Sequence, residues 1–274
     1  MQPSAAEDKS SEHIPATRRV FRRIKSGFFH SETLYRLNLM WKFGRALSLP
    51  ERAGALPNEV LQTRDQLRAA TEMGRRLNWP LHRADEKNWD HLAAVVAILN
   101  NTAKSACILD AGAEFYSNVL PALFACGYRE LYGMNLSFMD RARRGSIRYL
   151  PGDITRTGFS NAFFDAVTCM SVIEHGVPLK AYFREMHRVL KPGGLLITST
   201  DYYAEPVDTR GQTAYGVPIK IFSRSEAEAM LALARGCGFE QTAQIDLESR
   251  GRPIRWEEYD LDYTFLIFTL RKPA

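Results

Sequence analysis

The sequence has few of the features that mark membrane proteins, disulfide scaffolds or repeat proteins. It contains no run of about 18 apolar residues, so we expect no transmembrane helix. Its first residues, MQPSAAEDKSSEH, lack the apolar core of a secretory signal peptide. The 4 cysteines are scattered and none stands at metal-ligand spacing. This pattern predicts buried, reduced thiols, no metal site and a cytoplasmic protein.

The positive charge is modest and unevenly distributed. The formal net charge is +5, with a basic cluster within residues 18–25 and a smaller one within 141–144. Both clusters fit solvated surface. In the first, Val20, Phe21 and Ile24 alternate with arginines. The alternative is therefore a basic helix that makes peripheral contact with the inner face of a membrane, or with an acidic partner. No nucleic-acid-binding module accompanies the charge, so we expect no nucleic-acid partner.

The chain divides into three regions by composition and periodicity. Residues 1–15 are polar and aperiodic, which predicts a disordered tail. Residues 16–89 predict a helical N-terminal extension, with helices over 17–47 and 58–77. Residues 90–274 predict one domain, which begins with a helix capped by Asp90.

The third region alternates apolar strands with helices. Strands are predicted over 107–110, 130–134, 147–150, 164–170, 195–199, 240–247 and 263–270, and helices over 117–126, 179–190 and 225–236. This alternation predicts an α/β fold with a Rossmann-like, mostly parallel, seven-stranded sheet. Two strands that follow each other closely at the end predict a reversed last strand. Because only about ten residues separate the second strand from the third, the helix between them should be short or absent.

Five motifs follow the strands: ILDAG, LYGMNLS, LPGDI, FDAVTCMSVIEHG and REMHRVLKPGGLLITS. Together they resemble the class I S-adenosylmethionine-dependent methyltransferase family, of the type 11 kind, over about two thirds of the chain. The resemblance implies a methyltransferase (EC 2.1.1.-) with S-adenosyl-L-methionine as its cofactor. It also implies that the Pro192-Gly193-Gly194 segment is a structural turn that admits the fifth strand.

The resemblance implies which residues hold the cofactor. The loop after the first strand would approach its methionine end, the end of the second its ribose and the end of the third its adenine. The end of the fourth strand would lie below the transferred methyl group. The residues at these positions are Asp110, Gly112, Ala113, Glu114, Asn135, Leu136, Asp153, Ile154, Met170 and Ser171.

Two positions depart from the family pattern. The first loop retains only one of its three glycines, at Gly112, and has Glu114 and Tyr116 in place of the others. Asn135 stands where an acidic residue accepts both ribose hydroxyls, and an amide loses that charge-assisted pair. Our hypothesis is that Glu114 and Asn135 exchange roles. The alternatives are a different nucleotide-like ligand, or a scaffold whose pocket is filled by Phe115 or Tyr116.

The substrate side carries two candidate bases, His175 after the fourth strand and Asp201 after the fifth. Alternatively, Glu174 and His175 cap a helix or fill a loop. The long, polar segment 202–222 predicts a substrate lid whose side chains suit a polyol or sugar. The candidate substrate residues are Tyr202, Tyr203, Arg210, Tyr215 and Trp256.

These features favour an O- or N-methyltransferase that acts on a polar small molecule or a lipid-linked glycan intermediate. A second hypothesis is a non-catalytic, methyltransferase-like module that binds a partner through its N-terminal helices. A third is a nicotinamide-dependent oxidoreductase, against which the lack of Gly-x-Gly-x-x-Gly argues. The acceptor and the oligomeric state stay open.

Overall fold

The computed structural model describes residues 29–47 and 56–274. The predicted disordered tail, the basic cluster of residues 18–25 and the start of the first predicted helix lie outside these residues. The described helices are α1 (Glu32–Phe43), α2 (Arg64–Arg76), α3 (Asn88–Asn101), α4 (Val119–Ala125), α5 (Leu179–Val189) and α6 (Arg224–Gly236). Short 3-10 helices span Asp85–Lys87 and Glu257–Tyr259.

The strands are β1 (Glu59–Val60), β2 (Cys107–Ala111), β3 (Glu130–Asn135), β4 (Ala142–Arg144), β5 (Ile147–Pro151), β6 (Phe164–Met170), β7 (Leu190–Tyr202), β8 (Thr213–Ala214), β9 (Val217–Pro218), β10 (Glu240–Gln241), β11 (Ile254–Trp256) and β12 (Leu261–Arg271). The main sheet has the order β1-β12-β7-β6-β2-β3-β5-β4, and β10 and β11 also pair with β12. Strands β5, β3, β2, β6 and β7 are parallel, and β12 runs antiparallel to β7. The predicted mostly parallel sheet and its reversed last strand are confirmed.

The strand count differs from the prediction at the sheet edges. All seven predicted strands form, and β1, β4 and β11 bring the main sheet of the described residues to ten. The strand predicted over 240–247 shrinks to the two residues of β10. Between β3 and β5 no helix forms; the chain instead makes an antiparallel pair of β4 with β5.

The predicted turn at Pro192-Gly193-Gly194 lies inside strand β7. Gly193 has a φ of +78°, which favours glycine, and its N–H donates to the Lys272 carbonyl at 2.8 Å. The pairing of β6 with β7 shifts register between Phe164 and Ala166. The segment is therefore an irregularity within a strand and not a separate turn before one.

Side-chain caps fix where two helices begin. Helix α2 begins after Thr63, which forms a reciprocal capping box with Gln66, so the helix predicted from residue 58 starts later. Helix α6 has the same arrangement between Ser223 and Glu226. Asp90 is not a cap as predicted, because helix α3 already begins at Asn88.

Two apolar cores cover the two faces of the sheet. Alternate residues of β2 point to opposite faces, with Ile108 in the core beneath α3 and α4 and Leu109 in the core beneath α5 and α6. Of the four thiols only Cys169 is fully buried, so the prediction of buried cysteines holds for one of them.

The N-terminal extension is built into the sheet. Glu59 and Val60 pair with β12, and α3 runs across the boundary predicted between residues 89 and 90. Within 29–47 and 56–274, no helix is long and apolar enough to cross a bilayer.

Candidate functional site

A cavity of about 880 Å³ opens at the carboxyl ends of the parallel strands. The loops after β2, β3, β5 and β6 form one half of its wall. The end of β7, the β8–β9 hairpin, β11, β12 and the segment before α3 form the other half. Parallel strands meet at this edge, which is where ligands bind in open α/β sheets.

The first loop leaves the sheet at Gly112. Its φ is +89°, and a Cβ atom here would meet Val172 Cγ2 at 2.3 Å. The glycine therefore allows the loops after β2 and β6 to touch each other. Its N–H donates to the Met134 carbonyl at 2.8 Å, which fixes the loop to β3.

Asn135 holds this loop in place. Its Nδ2 donates to the carbonyls of Gly112 (3.2 Å) and Ala113 (3.0 Å) and to Glu114 Oε1 (3.0 Å). Its Oδ1 accepts from the Ser137 N–H at 2.8 Å. The amide donors are thus fully used by protein groups, and they bring the Glu114 carboxylate to the end of β3.

Glu114 therefore places a carboxylate beside Asn135, the position at which the family pattern has an acidic residue. Its Oε1 accepts from Asn135 and from Ser137 Oγ at 2.9 Å, while no hydrogen bond of the described residues reaches Oε2. Glu114, Asn135 and Ser137 all line the cavity.

Two predicted cofactor residues lie behind the wall. Asp110 is buried and its Oδ1 accepts from Thr168 Oγ1 at 2.8 Å. Contrary to the prediction, it does not line the cavity. Burial raises its pKa to about 6, opposed by the Thr168 hydrogen bond. Ala113 is also buried outside the lining. Both side chains are packed inside the protein behind the residues that line the cavity, so a ligand in the cavity would not contact them.

The other predicted cofactor residues line the cavity. Leu136 is exposed at its rim. Asp153 Oδ1 accepts from the Thr155 N–H and Oγ1 at 2.8 and 2.7 Å, and Ile154 lies beside it. Met170 and Ser171 lie at the end of β6, where Ser171 has a φ of +52°. A non-glycine residue in this region is strained, which is frequent at functional sites.

The inner end of the cavity contains two buried carboxyl groups, Glu174 and Asp201. Glu174 Oε2 accepts from Thr200 Oγ1 at 3.0 Å, but Glu174 Oε1 and Asp201 Oδ1 have no hydrogen-bond partner. Lys87 brings a positive charge to the same place. Its Nζ donates to Ser171 Oγ at 2.8 Å and lies 4.2 Å from the centre of the Phe265 ring.

These groups shift one another's protonation. Burial raises the pKa of Glu174 to about 7, opposed chiefly by the Lys87 charge. Burial, and then the Glu174 charge, raise the pKa of Asp201 to about 7, opposed by Lys87, His175 and Tyr263. Two carboxyl groups in one low-dielectric pocket resist simultaneous ionisation, so the pair titrates near neutral pH.

His175 lines the same cavity as this pair, and its ring is close enough to Asp201 to be affected by that charge. Burial lowers its pKa, with the Lys87 charge acting in the same direction and Asp201 opposing. Its ring meets that of Tyr215 edge-on at 5.4 Å, and Tyr215 lies 6.5 Å from Trp256 in a near-parallel arrangement. Both candidate bases and both of these aromatic residues line the cavity.

Three predicted substrate residues lie elsewhere. Tyr202 is buried in the core and its hydroxyl donates to the Leu247 carbonyl at 2.6 Å. Tyr203 packs beneath the Arg252 guanidinium, 3.9 Å from its ring centre. Arg210 pairs with Asp260 at 2.9 Å on the surface. None of the three lines the cavity, because strand ends and hairpins direct alternate side chains to opposite faces.

Sequence reasoning missed the contribution of the extension and of the last strand. Lys87, His82 and His91 reach the cavity from the segment around the start of α3, and Tyr263 and Phe265 reach it from β12. Lys87 directly precedes a helix, but nothing in the sequence aligns that helix start with the end of β6. These contacts depend on tertiary packing.

Comparison with known proteins places the domain. A family model described as a methyltransferase domain matches residues 109–198. The sterol 24-C-methyltransferase of Candida albicans is 32% identical over 119 residues, which are 40% of this chain and 31% of that protein. The chain thus spans about a third of the length of the curated relatives it matches.

Solved structures share the fold. The crystal structure of the cyclase SpnF matches with a TM-score of 0.50 and 21% identity, over 68% of this chain and 84% of that one. An S-adenosylmethionine-dependent methyltransferase from Mesorhizobium loti matches with a TM-score of 0.47 and 19% identity, over 66% and 97%. The chain therefore contains a class I S-adenosylmethionine-dependent methyltransferase domain and is distantly related to the sterol 24-C-methyltransferases.

Proposed function

We propose that this protein is an active methyltransferase that transfers a methyl group from S-adenosyl-L-methionine, the methyl donor of its family, to a small molecule. The open cavity at the carboxyl edge supports this proposal most strongly. Phe115 packs against Phe138 and Tyr149, and Tyr116 is 60% exposed. The scaffold hypothesis requires one of these rings to fill the cavity, and neither does.

The residues present fit the cofactor. Asp153 has one carboxylate oxygen engaged by Thr155, which leaves the other available to the adenine amino group beside Ile154. Glu114 Oε2 is the acceptor we assign to the ribose hydroxyls. Gly112 lets the backbone of the first loop approach the methionine end, and Met170 and Ser171 would lie near the sulfur.

The cofactor supplies an electrophilic methyl group on a sulfonium. The protein's task is then to orient the acceptor atom, exclude water and take up a proton. Asp201 and Glu174 hold carboxylates whose pKa values lie near neutral pH, so they are suited to accept that proton. Burial lowers the pKa of His175, which favours its neutral form and makes its ring a second candidate proton acceptor in the same cavity.

The acceptor is proposed to be a small molecule with a polar reacting group. Most of the support for a polyol or glycan disappears, because Arg210 is engaged by Asp260 and only Tyr215 and Val217 of the lid segment line the cavity. The walls include several aromatic side chains, with Trp256 and Phe265 among them. An acceptor with an apolar body and a polar end fits this lining.

Isothermal titration with S-adenosylmethionine and S-adenosylhomocysteine tests the proposal. We expect both to bind, and Asp153→Asn to weaken both, since the amide keeps the Thr155 bonds but loses the free carboxylate oxygen. Asp140→Asn, which changes the same charge on an exposed residue outside the cavity, is the control. Absence of binding of either ligand to the folded protein would overturn the proposal.

Peripheral membrane contact is the second part of the proposal, and helix α1 supports it. Trp41 is 84% exposed, Leu37 54% and Met40 40%, which is unusual for large apolar side chains on one short helix. The basic cluster of residues 18–25 precedes this helix in the chain. Sedimentation with anionic lipid vesicles, compared between wild type and Trp41→Ala, tests the contact; equal sedimentation would contradict it.

A further inference from the structure

We infer that the Glu174–Asp201 pair is the binding site for a primary amine, and that this nitrogen is the atom that receives the methyl group. The inference rests on the proposed function and narrows its acceptor class. Four observations carry it: two buried unpartnered oxygens, their shared cavity, the local charge and the aromatic wall.

The two free oxygens require hydrogen-bond donors. Glu174 is 3% exposed and Asp201 4%, and neither Glu174 Oε1 nor Asp201 Oδ1 has a partner in hydrogen-bond geometry among the described residues. The Tyr263 hydroxyl lies close enough to Asp201 to lower the pKa of that carboxyl group. A buried acceptor without a donor costs about 1–3 kcal/mol, so such atoms are ordinarily satisfied. Both residues line the cavity, so a ligand can supply the donors.

One nitrogen carries enough donors for both oxygens. A primary ammonium carries three N–H donors, whereas a hydroxyl carries one. A single hydroxyl would therefore leave either Glu174 or Asp201 unpaired. Two unpartnered acceptors in one cavity favour a ligand group with at least two donors.

The local charge points in the same direction. Lys87 supplies one positive charge beside the two carboxyl groups, whereas Asp90 adds a negative charge that acts on Glu174, so full ionisation of the pair calls for a further cation. His175 does not restore the balance, because burial and Lys87 both favour its neutral form. A ligand cation completes the balance, as buried charges require a counter-charge.

The wall beside the pair already accommodates an ammonium group. Lys87 Nζ lies over the face of Phe265 at 4.2 Å from its centre, which is a cation–π contact. Tyr215 and Trp256 face the same cavity. Lys87 already occupies the Phe265 face, so Tyr215 and Trp256 are the aromatic residues that remain for a ligand cation in the cavity that holds the carboxyl groups.

The chemistry balances in two steps. The bound R–NH₃⁺ gives one proton to a carboxylate of the pair and becomes R–NH₂. Its lone pair then forms the N–C bond while the C–S bond breaks. The products are R–NH₂–CH₃⁺ and neutral S-adenosylhomocysteine, with the first proton held on the pair until release to water.

Calorimetric titration with three matched probes tests the inference: 2-phenylethylamine, 2-phenylethanol and trimethyl(2-phenylethyl)ammonium. They share a body and differ in N–H donors and charge. With S-adenosylhomocysteine present, we expect the primary amine to bind at least about tenfold more tightly than either analogue, since a buried hydrogen-bonding site rejects ligands that leave it unpaired. Glu174→Gln and Asp201→Asn should remove the preference, and Glu205→Gln, an exposed carboxylate outside the cavity, should retain it.

Each contrary result has a distinct meaning. Equal binding of the alcohol or the quaternary ion, no binding of the amine, or a preference that survives in both pair variants would overturn the amine site. Because these comparisons include the wild type, they do not depend on the variants folding. Binding of S-adenosylhomocysteine without an amine preference overturns this inference alone. An amine preference without cofactor binding overturns the proposed function, and with it the assignment of the nitrogen as methyl acceptor, and leaves only an amine-binding site.

Discussion

Glu114→Gln is the substitution that most directly tests how this site replaces the acidic residue of its family. Glutamine keeps an acceptor for the bonds from Asn135 and Ser137, so the loop should keep its conformation. It replaces the free Oε2 with an amide nitrogen. The substitution therefore removes the negative charge and the acceptor that we assign to the ribose, and little else.

The expected loss follows from one charge-assisted hydrogen bond. Such bonds contribute about 1.5–3 kcal/mol, and the lower value applies because Glu114 is only half-buried. A loss of about 1.4 kcal/mol is tenfold in affinity, so we expect S-adenosylhomocysteine to bind roughly tenfold more weakly. The melting temperature should change little. Titration calorimetry and circular dichroism measure the two quantities.

Adenosine and 2′,3′-dideoxyadenosine locate the effect on the ligand. If Glu114 accepts a ribose hydroxyl, Glu114→Gln weakens adenosine binding but leaves the binding of the dideoxy analogue unchanged. Glu205→Gln controls for net charge. An S-adenosylhomocysteine affinity within twofold of wild type, in a variant with normal stability, would refute the assignment of the ribose to Glu114.

Three further predictions concern the loop and the acid pair. Gly112→Ala should lower the free energy of unfolding, measured by urea denaturation, by about 2 kcal/mol more than Gly158→Ala. Both glycines have positive φ, but only a Cβ atom at residue 112 would clash with a side chain, at 2.3 Å. The free energy of unfolding should fall as pH rises from about 4 to about 7, because Glu174 and Asp201 bind protons more tightly in the folded state. The double variant Glu174→Gln/Asp201→Asn should show a flatter slope when melting is measured as a function of pH. Lys87→Gln should raise the folded-state pKa values of the pair, and so extend the fall in stability, and shift the acid limb of the methyl-transfer rate profile, to higher pH. An unchanged profile would show that Lys87 does not act on the pair.

The sheet was predictable because its signals are local. Apolar runs and turn residues mark all seven predicted strands, and the short spacing after β3 correctly excluded a full helix there. The edge strands were not predictable in the same way. Glu59–Val60 has no strand signal of its own and forms because β12 offers it a free edge.

The site was predictable only where a residue directly follows a parallel strand. Asn135, Asp153 and Asp201 lie at the cavity because strand ends meet at one edge. Position alone failed for Asp110 and Tyr202, because which face a side chain takes depends on the register and on neighbouring loops. A one-residue shift along a strand reverses that direction.

The acid pair shows why the inner site could not be derived from motifs. Glu174 follows β6, Asp201 ends β7 and Lys87 precedes α3, so the three charges come from distant parts of the chain. In the sequence, each of these charged residues can be read as an ordinary surface residue. Only their burial in one pocket gives the carboxyl groups pKa values of about 7 and leaves two oxygens without donors. Because desolvated polar groups are costly, their retention here is more readily explained by a ligand that satisfies them than by stability, which the pair lowers at neutral pH.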